Sequence, residues 1–241
     1  MNEFELKSQI SQLVQQSGLR HIAFIMDGNG RWATKRGMIR EAGHRAGAEN
    51  FKKIVRLCGD VGIEAVTVYA FSTENWKRPA AEVNAIMRLL DSFIRDAEQG
   101  NEENGIRYVF LGDKDGLAPA LAEKCRKLEM LTVNNRLLLN IALNYGGRAE
   151  LVHAVNTLLA EGKTQVGEEE LSAAMYTAHC QDPDLIVRTA GEYRLSNFLL
   201  WQAAYAELFF TDTLWPDYCG EDLLSAVTSF SQRRRRYGSL G

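Results

Sequence analysis

The feature that most limits how this chain can fold is the apolar run Ile22-Ala23-Phe24-Ile25-Met26, which stops at an acid, Asp27, and a glycine-rich turn, Gly28-Asn29-Gly30. A short apolar run bounded by glycine reads as a strand buried on both faces, as in parallel sheets. Comparable runs recur at 64–71, 106–111, 136–143, 184–188 and 206–210. Helical patterns fill most of the gaps. Phe51, Ile54, Val55, Cys58 and Val61 share helical spacing within 44–61. Val83, Ile86, Met87, Leu90, Ile94 and Ala97 form one stripe within 79–98, with Pro79 in the first turn, where its missing N–H does no harm. Strands alternating with helices predict an α/β fold: a six-stranded, mostly parallel sheet surrounded by helices. One domain over 1–241 is expected, because no linker-like stretch and no repeat interrupts the chain. Residues 1–18 are read as an N-terminal helix or arm, and 231–241 as a C-terminal tail.

Composition narrows the function. A net charge of -3 argues against a general nucleic-acid binder. Cysteines 58, 125, 180 and 219 are scattered without a CxxC, so neither a disulfide framework nor a zinc site is indicated. No apolar run is long enough to span a bilayer, and the N-terminus lacks signal-peptide character. A cytoplasmic protein is expected, touching membrane at most peripherally.

In a parallel sheet, ligands bind beyond the carboxyl ends of the strands. Glycines there let the backbone approach a ligand closely, and the free N–H groups of a starting helix attract phosphate. An acid in that place, Asp27, would repel phosphate unless a divalent ion such as Mg²⁺ is shared between them. Arg31, Arg36, Arg40, His44 and Arg45 follow, a cation density that reads either as a solvated basic helix face or as a diphosphate grip. After the second strand, Ser72, Thr73, Glu74, Asn75 and Arg78 crowd around Trp76 within 71–83. That stretch is either a polar surface loop or a mobile lid that excludes water. After the fifth strand, Arg188, Arg194 and Ser196 would make a second anion site, with Glu207 arriving on the next strand. Two anion sites, a metal and a lid describe an enzyme that joins two phosphorylated molecules.

These pieces together resemble the cis-prenyltransferases of the undecaprenyl diphosphate synthase family. The resemblance rests on MDGNGRWA (26–33), R-x2-GH-x2-G (40–47), FSTENWKRP-x2-EV (71–83), LNIALNYGGR (139–148), RTAGEYRLSNFLLWQ-x-AYAEL-x-F (188–210) and WPD (215–217), in family order. Ala190 departs from the usual glycine or serine and Tyr193 from the usual polar residue; a small Ala190 is expected to be tolerated.

The resemblance implies that Asp27 binds Mg²⁺ and helps ionise farnesyl diphosphate, with Glu207 assisting the metal. Gly28, Asn29, Gly30, Arg31, Trp32, Arg40 and His44 would hold that diphosphate, and Arg188, Arg194, Leu195 and Ser196 that of isopentenyl diphosphate. Ser72, Thr73, Glu74, Asn75, Trp76 and Arg78 would form the closing loop. Asn75 is the residue often named as proton acceptor, though an amide is a feeble base and is better read as orienting. The stripe on 79–98 would line an apolar tunnel for the growing chain, or simply pack the core. Arg236 would reach a partner subunit's site in a homodimer, while the neighbouring arginines suit a helix end or an anionic membrane surface. Asp27→Ala is expected to abolish turnover with the fold intact.

Weaker readings remain beside this one. Gly28, Gly30 and Ala33 also fit GxGxxA, but Asp27 and the bulky Arg31 and Trp32 suit a dinucleotide poorly. GxxxxGK[ST] and DDxxD are both absent. A non-catalytic partner subunit of the same fold is another class, and products of different length are possible. His21, His153 and His179 read as structural or solvated.

Overall fold

The computed structural model describes residues 2–100 and 105–233. Six strands form one sheet: β1 (His21–Ile25), β2 (Ala65–Ser72), β3 (Ile106–Leu111), β4 (Leu137–Tyr145), β5 (Leu185–Arg188) and β6 (Glu207–Phe210), in the order β3-β4-β2-β1-β5-β6. The pairings β1–β5, β5–β6 and β3–β4 are parallel. All six expected strands are found within one or two residues of the boundaries read from the sequence. The described chain divides into two compact units.

The first unit comprises Met1–Val66, Pro183–Tyr193 and Tyr205–Gly241. Its helices are α1 (Glu3–Ser17), α2 (Asn29–Lys35), α3 (Arg40–Asp60) and α8 (Gly220–Ser231). The N-terminal segment is a helix. Asn2 caps it by accepting the Glu5 N–H, Glu5 reciprocates, and Gly18 ends it in the left-handed region. Its buried stripe, Leu6, Ile10 and Val14, packs on α8, which buries Leu223, Ala226, Val227 and Phe230. All five residues of β1 are buried. Beneath the strand, Phe24, Trp215 and Tyr218 pack ring on ring, with centroids 5.6–6.0 Å apart. The Trp215 indole donates to the Gly47 carbonyl, and the Asn50 amide donates to the carbonyls of Trp215 and Tyr218. The WPD segment is thereby welded to α3.

The second unit comprises Thr67–Asp182 and Arg194–Ala204. It holds α4 (Ala80–Gln99), α5 (Pro119–Leu131), α6 (Gly147–Ala160) and α7 (Glu168–Ala173), and a 3-10 turn over Thr73–Lys77. The α4 stripe divides by burial. Val83, Ile94 and Ala97 are buried, whereas Ile86, Met87 and Leu90, with Leu89 and Phe93, are only half-buried. Glu150 at the start of α6 accepts hydrogen bonds from the Tyr145 hydroxyl, the Gln202 amide and the Tyr176 N–H, and Gln202 also donates to Thr177. Burial pushes the Glu150 carboxyl above its ordinary range, against those donors.

Candidate active site

Asp27 sits two residues beyond β1, and local bonding fixes it tightly. Its N–H donates to the Thr189 hydroxyl, and its carbonyl accepts from that hydroxyl and from the Trp215 N–H. One carboxylate oxygen accepts the Gly28 N–H at 2.7 Å and the other accepts the Arg188 guanidinium at 3.0 Å. The Arg188 side chain is 4% exposed and that of Asp27 35%. The acid is therefore open to a ligand while its counter-cation is sealed below it. Arg31 adds longer ion pairs, 3.8 Å to Asp27 and 3.3 Å to Glu192.

The glycine turn is shaped by close approach. Gly28 has φ 104, and a Cβ there would come within 3.0 Å of Leu214 and Ala190. A Cβ on Gly43 would lie 2.0 Å from the Asn29 carbonyl oxygen, and one on Gly47 would lie 2.3 Å from Asn29 Oδ1. The GH-x2-G spacing on α3 therefore lets the helix lie directly against Asn29, whose Oδ1 is buried with no hydrogen-bond partner among the described residues. Arg40 brings its guanidinium beside Gly30, where a Cβ would stand 3.0 Å from Nη2, and His44 follows one turn later on α3. Ala190, which the sequence marks as merely small, adopts φ 74, a conformation that disfavours a side chain.

Two expected site residues have other partners. Trp32 donates its indole N–H to Asp217 at 2.6 Å, and Arg36 lies over its ring while also pairing with Asp217. Asp217 of the WPD motif is thus a brace for α2. Glu207 opens β6 in register with Leu185 and, through it, with Ile22. That is the amino end of the strands, opposite to Asp27, and the Glu207 carboxylate pairs with Arg233. The expectation that Glu207 and Asp27 share a metal is not met within one chain, because parallel register separates them along the sheet by several residues of extended strand.

In the second unit, Ser72 ends β2 and caps the 3-10 turn; its N–H donates to Asn75 Oδ1 at 3.0 Å. The Trp76 ring meets Phe71 edge-on at 4.9 Å and gives its indole N–H to Asn144 Oδ1 at 2.7 Å. Arg78 pairs with Glu82 at 3.0 Å, and Thr73 lies beside Gly146. Partial burial works against the Glu74 carboxylate, but hydrogen bonds from Asn197, its own backbone, Ser72 and Thr73 outweigh it and lower its pKa. Arg194 and Ser196 are exposed and Leu195 half-buried on the stretch that precedes Asn197. Asn144 and Asn197, which hold Trp76 and Glu74, escape a reading by residue chemistry. Asn144 stands one residue before the end of β4 and Asn197 follows Ser196 in a turn, and both adopt positive φ, a conformation that asparagine tolerates. Arg236 lies outside the described residues.

An α/β sheet carrying an acid–arginine pair at a glycine turn, with a capped aromatic loop after the next strand, defines an enzyme of diphosphate chemistry. The comparisons narrow that class. A model of the putative undecaprenyl diphosphate synthase family matches residues 25–238. An isoprenyl transferase of Fusobacterium nucleatum is 47% identical, over 92% of this chain and 96% of its own. The Escherichia coli K12 ditrans,polycis-undecaprenyl-diphosphate synthase, described as (2E,6E)-farnesyl-diphosphate specific, is 46% identical over 95% and 93%. Among solved structures, lavandulyl diphosphate synthase from Lavandula x intermedia in complex with dimethylallyl diphosphate superposes with TM-score 0.87 at 34% identity, covering 92% of this chain and 99% of that one. A probable undecaprenyl diphosphate synthase from Campylobacter jejuni gives TM-score 0.79 at 32% identity, with the same coverage. The chain belongs to the undecaprenyl diphosphate synthase family of prenyltransferases.

Proposed function

We propose that this protein adds isopentenyl diphosphate units in cis to farnesyl diphosphate, giving a long polyprenyl diphosphate, undecaprenyl diphosphate, which is the lipid-carrier precursor for cell-wall glycan synthesis. The observation that carries this reading is Asp27, held open at the end of β1 by Arg188 at 3.0 Å and beside a turn with no room for a side chain at Gly28. The working form in this reading is a cytoplasmic homodimer that meets the membrane only at its surface.

Mg²⁺ fits the donor set at Asp27. Among the described residues no group of three or more His, Cys, Asp or Glu side chains could hold a metal by themselves. One carboxylate plus substrate phosphate oxygens and water is the arrangement Mg²⁺ favours. Bound there, it would supply Lewis-acid stabilisation of the departing diphosphate.

The protein's own residues do the rest. The backbone of 28–30 with Arg31, Arg40 and His44 grips the allylic diphosphate, and the guanidiniums stabilise the negative charge that develops as it leaves. Of the residues assigned to isopentenyl diphosphate, Arg188 stands in the first unit, and Arg194, Leu195 and Ser196 in the second. The side-chain oxygen Oδ1 of Asn75 is already engaged by the Ser72 N–H and has no useful basicity, so Asn75 orients, and the released diphosphate takes the proton. Trp76 and the 3-10 turn form the closing loop and exclude water from the isopentenyl diphosphate that Arg194 and Ser196 hold. The half-buried face of α4 receives the apolar tail.

The test is incubation of the purified chain with farnesyl diphosphate, labelled isopentenyl diphosphate and Mg²⁺, followed by product sizing. Label in a long cis-polyprenyl product supports the reading. A folded chain that incorporates none refutes it and favours a non-catalytic partner subunit.

A further inference from the structure

We propose that Asn197 is a positioning residue that couples the segment 194–196 to the loop 72–78, so that an anion held by the first sets the geometry of the second. This rests on the function proposed above. The observation is a junction of three segments inside the second unit. The Asn197 amide Nδ2 donates to Glu74 Oε1 at 2.8 Å, and its Oδ1 accepts the Arg148 N–H at 2.9 Å. Its backbone carbonyl accepts the Gly147 N–H at 2.7 Å. One residue thereby ties the 3-10 turn to the first turn of α6 and satisfies two of that helix's free N–H groups.

The chemistry calls for asparagine. An aspartate would set a second carboxylate against Glu74, and a serine lacks both the reach and the second polar atom. Asn197 and Ser196 adopt φ 65 and 52, which asparagine tolerates better than most side chains. Gly146 completes the junction, since a Cβ there would stand 2.6 Å from Asn197 Nδ2 and 2.8 Å from Thr73 Oγ1. On either side of Asn197, the Tyr69 hydroxyl donates to the Ser196 carbonyl at 3.3 Å while the Tyr69 ring stacks on Phe198 at 4.6 Å. The segment is thus braced against β2, the strand from which the loop departs. A diphosphate that draws on Arg194 and Ser196 acts one residue away from the Glu74 link. The loop carrying Trp76 then responds to occupancy of that segment.

The test compares Asn197→Ala, Glu74→Ala and the double variant by steady-state kinetics, with each substrate varied separately. Loss of a hydrogen bond to a charged group corresponds to roughly tenfold or more. Each single variant is expected to raise the KM for isopentenyl diphosphate by about tenfold, with the KM for farnesyl diphosphate changed less than about twofold. The double variant is expected to be no worse than the more severe single one, because both remove the same link. An unchanged isopentenyl KM, multiplicative single effects, or a loss confined to kcat overturns the proposal. Glu74 is exposed, so if Asn197→Ala fails to fold, Glu74→Ala decides alone: an unchanged isopentenyl KM overturns the coupling. A wild-type chain that incorporates no isopentenyl diphosphate refutes the functional reading itself.

Discussion

Replacing Asp27 tests stability as well as catalysis. The sequence alone suggests a clean active-site knockout, with turnover lost and the fold intact. The structure adds a cost in stability to that expectation. Arg188 is 4% exposed and loses a carboxylate at 3.0 Å when Asp27 becomes alanine. Breaking a fully buried ion pair costs roughly 3–5 kcal/mol. Asp27 is about one-third exposed, so the loss lies nearer the roughly 1.5–3 kcal/mol of a charge-assisted hydrogen bond. At about 2–4 °C per kcal/mol for a chain of this size, Asp27→Ala lowers Tm by about 3–12 °C. Turnover should fall by at least about 10³-fold, because the residue acts where charge develops. Arg188→Ala should show a similar loss of stability, and the double variant little more than either single one. Differential scanning calorimetry without ligands reads all three directly. A Tm for Asp27→Ala equal to wild type, or additive losses in the double variant, would refute the idea that the pair is formed before substrate arrives.

Other outcomes follow from local geometry. Ala190→Gly relieves a left-handed alanine and should raise stability by about 0.5–1 kcal/mol, read as a higher urea midpoint. Gly47→Ala drives a methyl group into Asn29 and should cost about 1–3 kcal/mol together with much of the activity, whereas unchanged Tm and kcat/KM would show that α3 can move aside. Glu150 has a folded pKa raised from 4.5 by burial, so the folded state holds a proton that the unfolded state has lost. Its contribution to stability is complete below that ordinary value and falls as pH rises through the folded pKa. Urea midpoints of wild type and Glu150→Gln should therefore run parallel below the ordinary carboxyl value of 4.5 and draw apart as pH rises above it, the wild type losing more.

The α/β class, the strands and the helices at 40–60 and 80–99 were legible because burial imposes its period on the residues: continuous apolar runs for strands covered on both faces, stripes for helices. The clustering of polar side chains just after β1 and β2 was legible for a related reason, since strands of a parallel sheet deliver the residues that follow them to one end. Three matters were not legible. That Trp32, expected at the diphosphate, and Arg36, read as either solvated or part of its grip, both meet Asp217 was one, because which groups meet depends on chain segments nearly two hundred positions apart. Glu207 read as a companion of Asp27, yet strand register assigns it to the other end of the sheet, and register is a property of pairing that no single strand carries. Asn144 and Asn197 are ordinary polar residues until backbone conformation turns their amides toward Trp76 and Glu74. Residue types and their spacing thus determined the elements and the kind of chemistry, because these follow from local burial and charge. Which groups touch was decided only when distant segments packed, because hydrogen bonds and ion pairs act over a few ångströms and sequence distance places no limit on who the neighbour is.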